Sequence, residues 1–180
     1  MPYQKLFPSQ QPDEKIILIV REHWFRLFIK IITIALLSLL PWVFKILLID
    51  FTTFLRNETA ILISSAVFNT YYLGLLIALF IVFVLYYLNV HIVSGERVVD
   101  IDQVGLLSRE VSELNIETID DVSSHTKGLF GNILNYGTVF IQTAGGTERF
   151  EFDNVPNPSE IASIILDLYE KHGGKEKPRP

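Results

Sequence analysis

The chain has 180 residues, 49% of them hydrophobic, a mean hydropathy of +0.35 and a formal charge of −5. This is more apolar than one soluble core of that size needs, and too acidic for a nucleic-acid partner, which calls for clustered Lys and Arg. With no cysteine, disulfides, thiolate metal sites and cysteine nucleophiles are excluded on inventory alone.

The apolar surplus lies between Phe25 and Val90. The first segment, residues 27–49, contains the uncharged run IITIALLSLLPWVF and measures roughly 34 Å as a helix, enough to cross a bilayer with some tilt. Lys30 and Lys45 sit near its ends, where long basic side chains reach the headgroups, and Pro41 reads as a kink whose freed backbone groups find other partners. The second segment, residues 72–90, is charge-free and spans roughly 28 Å. Tyr71 and Tyr72 at one end and Tyr86 and Tyr87 at the other read as aromatic belts, as do Trp24 and Trp42 on the first segment.

Lys5, Lys15, Arg21 and Arg26 precede the first span and Arg97 and Arg109 follow the second, whereas the connecting residues 50–71 offer mainly Arg56. The positive-inside rule then puts both termini in the cytoplasm of a multi-pass cell-membrane protein, with residues 50–71 outside. Asp13 and Glu14 ahead of the apolar run argue against a cleaved signal peptide. The triplet Asn57-Glu58-Thr59 fits the glycosylation pattern but arises readily by chance.

Past Asn89 the pattern changes to short alternating runs. Residues 97–102, 110–116 and 119–124 read as strands, with a turn at Gly105, and residues 128–137 read as a loop with a short helical turn. Residues 138–143 and 149–153 form the clearest hairpin, joined through Ala144-Gly145-Gly146-Thr147. A C-terminal helix follows: Asn157 caps, Pro158 suits the first turn, and Ile161, Ile164, Ile165 and Leu168 fall on one face. Lys171 and His172 suit its C-terminal dipole end, Gly173-Gly174 stops it, and residues 175–180 form a disordered tail.

Several strands closed by one amphipathic helix directly after two membrane helices resemble the bacterial pleckstrin-homology-like (PH-like) membrane proteins of the YdbS-like group. The resemblance rests on Glu96-Arg97-Val98-Val99-Asp100, Gly105-Leu106-Leu107-Ser108-Arg109, residues 113–122 (ELNIETIDDV), Gly128-Leu129-Phe130-Gly131 and residues 136–141 (YGTVFI). The stretch 14–25 (EKIILIVREHWF) looks like the short segment that precedes helix one in that group. The resemblance implies a helical hairpin of two transmembrane α-helices plus a PH-like antiparallel β-barrel or sandwich capped by a C-terminal α-helix, with no established catalysis. The expected domains are an N-terminal segment 1–26, a membrane domain 27–90, a PH-like domain 91–172 and the tail. In phosphoinositide-binding PH domains the loop between the first two strands carries a basic cluster. Taking residues 100–109 as that loop, only Arg109 is present beside Asp100 and Asp102, which argues against headgroup binding by that route.

Catalytic, metal and cofactor sites are not expected. Asp120 and Asp121 point to opposite faces of a strand, and Glu148, Glu151 and Asp153 are the wet face of a hairpin. His23, His91, His125 and His172 lack ligand spacing, and His23 and His91 read as interfacial residues. The glycine pairs lack the Lys-Ser or Lys-Thr of a phosphate loop. Only Thr33 and Ser38 are polar within the first span and the centre of the second is apolar, which offers little to a transport route. The expected role is a membrane-anchored module, integral in the lipid bilayer, for contacts with a protein partner or for homo-oligomerisation. Its partner surface is expected to include Gly128, Leu129, Phe130, Gly131, Asn132 and Tyr136. The alternatives are a lipid-sensing PH-like domain and a small oligomeric channel or transporter subunit, and no small-molecule substrate is identified.

Overall fold

The computed structural model describes residues 7, 9–47, 58–143 and 149–172. It divides into two compact units: one is Trp24–Leu85, the other the chain up to His23 together with the chain from Tyr86 onward.

The helical unit holds α1 (Trp24–Leu47) and most of α2 (Glu58–Leu88). Stretches of 23 and 28 residues in them are long and apolar enough to cross a membrane. α2 begins well before Tyr72, so residues 58–71 are helical rather than part of a loop, and its 31 residues measure roughly 46 Å. Tyr71 and Tyr72 therefore lie inside the helix instead of marking its end. Their hydroxyls donate to α1 carbonyls: Tyr71 to Leu37 at 2.7 Å and Tyr72 to Ser38 at 3.1 Å. Leu37 is the residue whose carbonyl Pro41 deprives of its helical N–H, so Tyr71 supplies the missing donor across the helix pair. Thr33, Ser38, Ser64 and Ser65 each bond a carbonyl of their own helix.

The other unit is a sandwich of two antiparallel sheets. One has the order β1-β2-β3-β4, formed by Ile16–Val20, Val90–Ser94, Arg97–Val104 and Ser108–Asn115. The second has the order β5-β6-β7, formed by Ile119–His125, Tyr136–Thr143 and Arg149–Pro156. Among the described residues the sheets stay separate, so the fold is a sandwich and not a closed barrel. Residues 144–148 and 173–180, with the expected hairpin turn and tail, lie outside the described residues, as do residues 48–57.

The two faces of β3 explain the packing. Val98 joins Val20, Val93, Ile116, Val139, Ile141, Phe152 and Val155 in the core between the sheets. Val99 and Ile101 join Phe7 and Ile92 in a second cluster on the outer face, where Phe7 is 2% exposed. α4 (Pro158–Lys171) closes the main core with Ile161, Ala162, Ile165 and Leu168. Asn157 precedes α4 in the left-handed region (φ 47°) and its side chain does not cap the helix; it donates to Glu160 and accepts from Asn135.

The N-terminal stretch is thus part of the sandwich. β1 pairs with β2 through Ile19 opposite Ile92 and Val20 opposite His91, and the helical pair is an insertion between these two strands. The connection between the first and second strands is therefore residues 21–89 rather than residues 100–109, which are the end of β3, the turn at 105–107 and the start of β4.

A fragment starting at Val93 lacks β1 and most of β2, so it should not fold. Residues 7–22 joined by a short flexible linker to residues 88–172 should unfold cooperatively in a circular-dichroism melt, since the linker only has to bridge neighbouring strand ends. In that linked chain Ile165, fully buried, is a sharper probe of the cap than the half-buried Ile164. Ile165→Ala should cost about 2–5 kcal/mol, read from the denaturation midpoint.

Candidate functional site

The strand register gathers several features at one end of the sandwich. β1 ends at Val20 and β2 starts at Val90, opposite Ile101, so β3 continues past both to Val104. Gln103 N–H donates to the side chain of Asn89 at 2.8 Å, which holds this overhang beside the residue that follows α2. The chain turns through Gly105, whose φ of 74° suits glycine, and the tip exposes Val104 by 58%, Leu106 by 54% and Leu107 by 99%.

The second sheet brings α3 (Gly128–Leu134) to the same end. The His23 N–H donates to the Asn154 carbonyl at 2.7 Å, and its ring stacks on Tyr136 with centroids 5.1 Å apart. Gly137 lets β6 pass close to the end of β5: a Cβ there would sit 2.2 Å from the His125 carbonyl oxygen. Arg21 lies over the Tyr87 ring, 5.6 Å from its centroid, joining the chain ahead of α1 to the last turn of α2.

The six residues expected to form a partner surface separate here. Leu129 and Phe130 are exposed, with Ile133 beside them one turn on. Asn132 is exposed but its amide bonds the Gly128 carbonyl at 2.9 Å, while Gly131 is buried and Tyr136 is engaged with His23. The outward face of α3 is thus apolar. Sequence reasoning missed the hairpin tip as a surface; its signal was two consecutive leucines at a turn, where polar residues are the rule.

His23 and His91 are enclosed by the protein itself. Both are buried, and His91 Nδ1 lies 2.7 Å from Asp100 Oδ1 while its ring packs 4.4 Å from Phe152. Packing around Asp102 and the negative field of Asp100 raise its carboxyl, opposed by His91 and assisted by Glu22 and Glu110. At the far end, Glu14 is buried and accepts from the Ser94 hydroxyl, and Arg97 Nε approaches it to 3.2 Å as an ion pair lacking hydrogen-bond geometry. Arg97 also donates to Glu113 at 3.2 Å. Arg97 is thereby a structural residue, and a charge-reversing substitution there would unfold the domain before it reported on a ligand.

A shallow concavity of about 320 Å³ on the outer face of β5 and β6 is lined by Asp121, Ser123, His125, Lys127, Phe140 and Gln142. Among the described residues no three His, Asp or Glu side chains are grouped to hold a metal.

Fold and site together define a PH-like sandwich carrying a two-helix insertion between its first and second strands. The chain belongs to the bacterial PH domain family, whose match runs over residues 16–169 and so includes both helices and all seven strands. A solved structure with similarity is a DUF1696 family protein with a pleckstrin-homology domain from Shewanella loihica PV-4. It is 13% identical, with a TM-score of 0.37 over 45% of this chain and 70% of that one. No curated protein matches.

Burial lowers the pKa of His23 below its ordinary 6.5. The unfolded chain then binds this proton at higher pH than the folded chain does, so the contribution of His23 is complete above about pH 6.5 and is lost as pH falls through the folded value. The melting temperature of the full chain in detergent should drop on acidification across that window, and His23→Phe, which keeps a ring against Tyr136, should flatten that part of the profile.

Proposed function

We propose that this protein is a membrane-anchored PH-like interaction module, with α1 and α2 crossing the bilayer, both termini in the cytoplasm, and the sandwich offered to protein partners or to further copies of the chain. The observation that carries the reading is the surroundings of the apolar helices. Of their most apolar windows only 6% and 0% of residues are buried, whereas the core helix of a soluble protein hides its apolar face. Leu36, Trp42, Leu62, Val67, Leu76 and Phe80 are each more than 60% exposed. Hydrocarbon is the solvent such a surface fits.

The sandwich supports a contact role more readily than a chemical one. β4 and β7 form sheet edges, and an exposed edge can accept a partner strand. A lipid sensor working by electrostatics needs converging bases, yet Arg97 is held by Glu14, Glu96 and Glu113, and Arg109 lies across from Gln103 next to the Asp102–Glu110 pair. A channel has less support, since the hydroxyls of Ser64 and Ser65 turn back on their own helix.

The full chain should stay in the membrane pellet after carbonate extraction, and reporter fusions at the two ends should both report a cytoplasmic location. Release by carbonate would remove the anchor, and an outside location for either end would remove the cytoplasmic partner.

A further inference from the structure

We propose that the β3–β4 tip and α3 are a pair of apolar feet by which the sandwich rests in the bilayer interface. The inference rests on α1 and α2 spanning the membrane, and it assigns Leu129 and Phe130 to lipid instead of to a protein partner. Three observations place the feet. The tip overhangs β1 and β2 at the end where Val20 leads toward α1 and Val90 follows α2. The Gln103–Asn89 bond ties that overhang to the residue adjoining Leu88. The contacts of His23 with Tyr136 and Asn154 tie the α3 end of the second sheet to the residue adjoining Trp24.

At both feet the side chains that face outward are the ones a water-facing loop avoids. Leu107 is 99% exposed, and Leu129, Phe130 and Ile133 are 71%, 58% and 67% exposed on one face of α3. Leu107 and Leu129 are separated in sequence and attached to different sheets, so a single local folding requirement does not account for both. The chain passes into two apolar helices at this same end, so an interface lipid is the partner that covalent connection already brings there. Aromatic Trp24 and Tyr87, 55% and 47% exposed, bracket the two junctions as interface residues do.

The charges nearby say how such contact works. Arg21, Arg109 and Lys127 share this end with Glu22, Asp102 and Glu110, so the charges balance and no net basic surface attracts anionic headgroups. Contact by apolar insertion needs no anionic lipid and is indifferent to moderate salt. The feet would hold the sandwich at a fixed attitude to the bilayer.

Because the chain contains no cysteine, single cysteines can be placed in the full-length protein and labelled with an environment-sensitive fluorophore. Leu107→Cys and Leu129→Cys are the test positions, Glu96→Cys at the far end is the control, and Leu76→Cys reports on α2. The protein is reconstituted in phosphatidylcholine nanodiscs with or without lipid carrying a spin-label quencher near the headgroup. Labels at 107 and 129 should lose most of their emission to the lipid quencher, equally at low and physiological salt, while the label at 96 keeps its emission and is quenched by aqueous iodide. Iodide quenching at 107 and 129 with the label at 76 still shielded from iodide would overturn the feet and leave the membrane anchor standing. Protection of 107 and 129 from both quenchers would assign the surface to a second copy of the chain and also overturn the proposal. Iodide quenching at 76 would remove the anchor itself, and the feet with it.

Discussion

The architecture depends on one pairing: β1 with β2 across the whole helical insertion. Ile19 faces Ile92 and Val20 faces His91, although the helices lie between them in the chain. Two antiparallel neighbours in a sheet bring the end of one and the start of the other together. The insertion must therefore leave and return at one place, which an antiparallel helical pair can do. Completion of the sheet and closure of the helix pair are the same constraint, and the Arg21–Tyr87 contact sits where the two conditions meet.

The same pairing gives the N-terminal stretch its work. Phe7 covers Ile92, Val99 and Ile101 on the outer face, and Glu14 reaches Ser94 and Arg97 where β2 turns into β3. Glu14 is a buried carboxylate whose cost is met by a hydroxyl donor and a guanidinium. Within the helical unit an equivalent debt arises at Pro41, and Tyr71 settles it by donating to Leu37. In both cases a polar group stranded by the fold finds its partner on a neighbouring element.

Much of this was legible from local pattern. The apolar spans, the alternation around Phe150 and Phe152, the turn at Gly105 and the apolar face of α4 are short-range signals, and each is present, although the second helix starts at Glu58 rather than at residue 72. What escaped was long-range. Residues 16–20, IILIV, are apolar throughout, without the alternation that marks a half-buried strand, and nothing local says that their partner lies beyond both helices. With β1 and β2 both missed the strand numbering slipped by two, and residues 100–109 stood in for a connection that is in fact the helical pair. His23 and His91 adjoin the helices in sequence, and their burial against Tyr136 and Phe152, which only the second sheet supplies, had no local signal. Within the candidate surface, Leu129 and Phe130 stood out as apolar residues in a glycine-rich stretch, but their kinship with Leu107 depends on the register of two separate sheets.

The central claim, that β1 completes the sandwich across the insertion, is tested most directly by hydrogen exchange of the full-length protein in a bilayer. The amides of the strand Ile16–Val20 should be protected to the level of the β2 amides and should open together with them, because neither strand has its pairing without the other. Exchange of Ile16–Val20 at the rate of unstructured chain, with β2 to β7 still protected, would contradict the account.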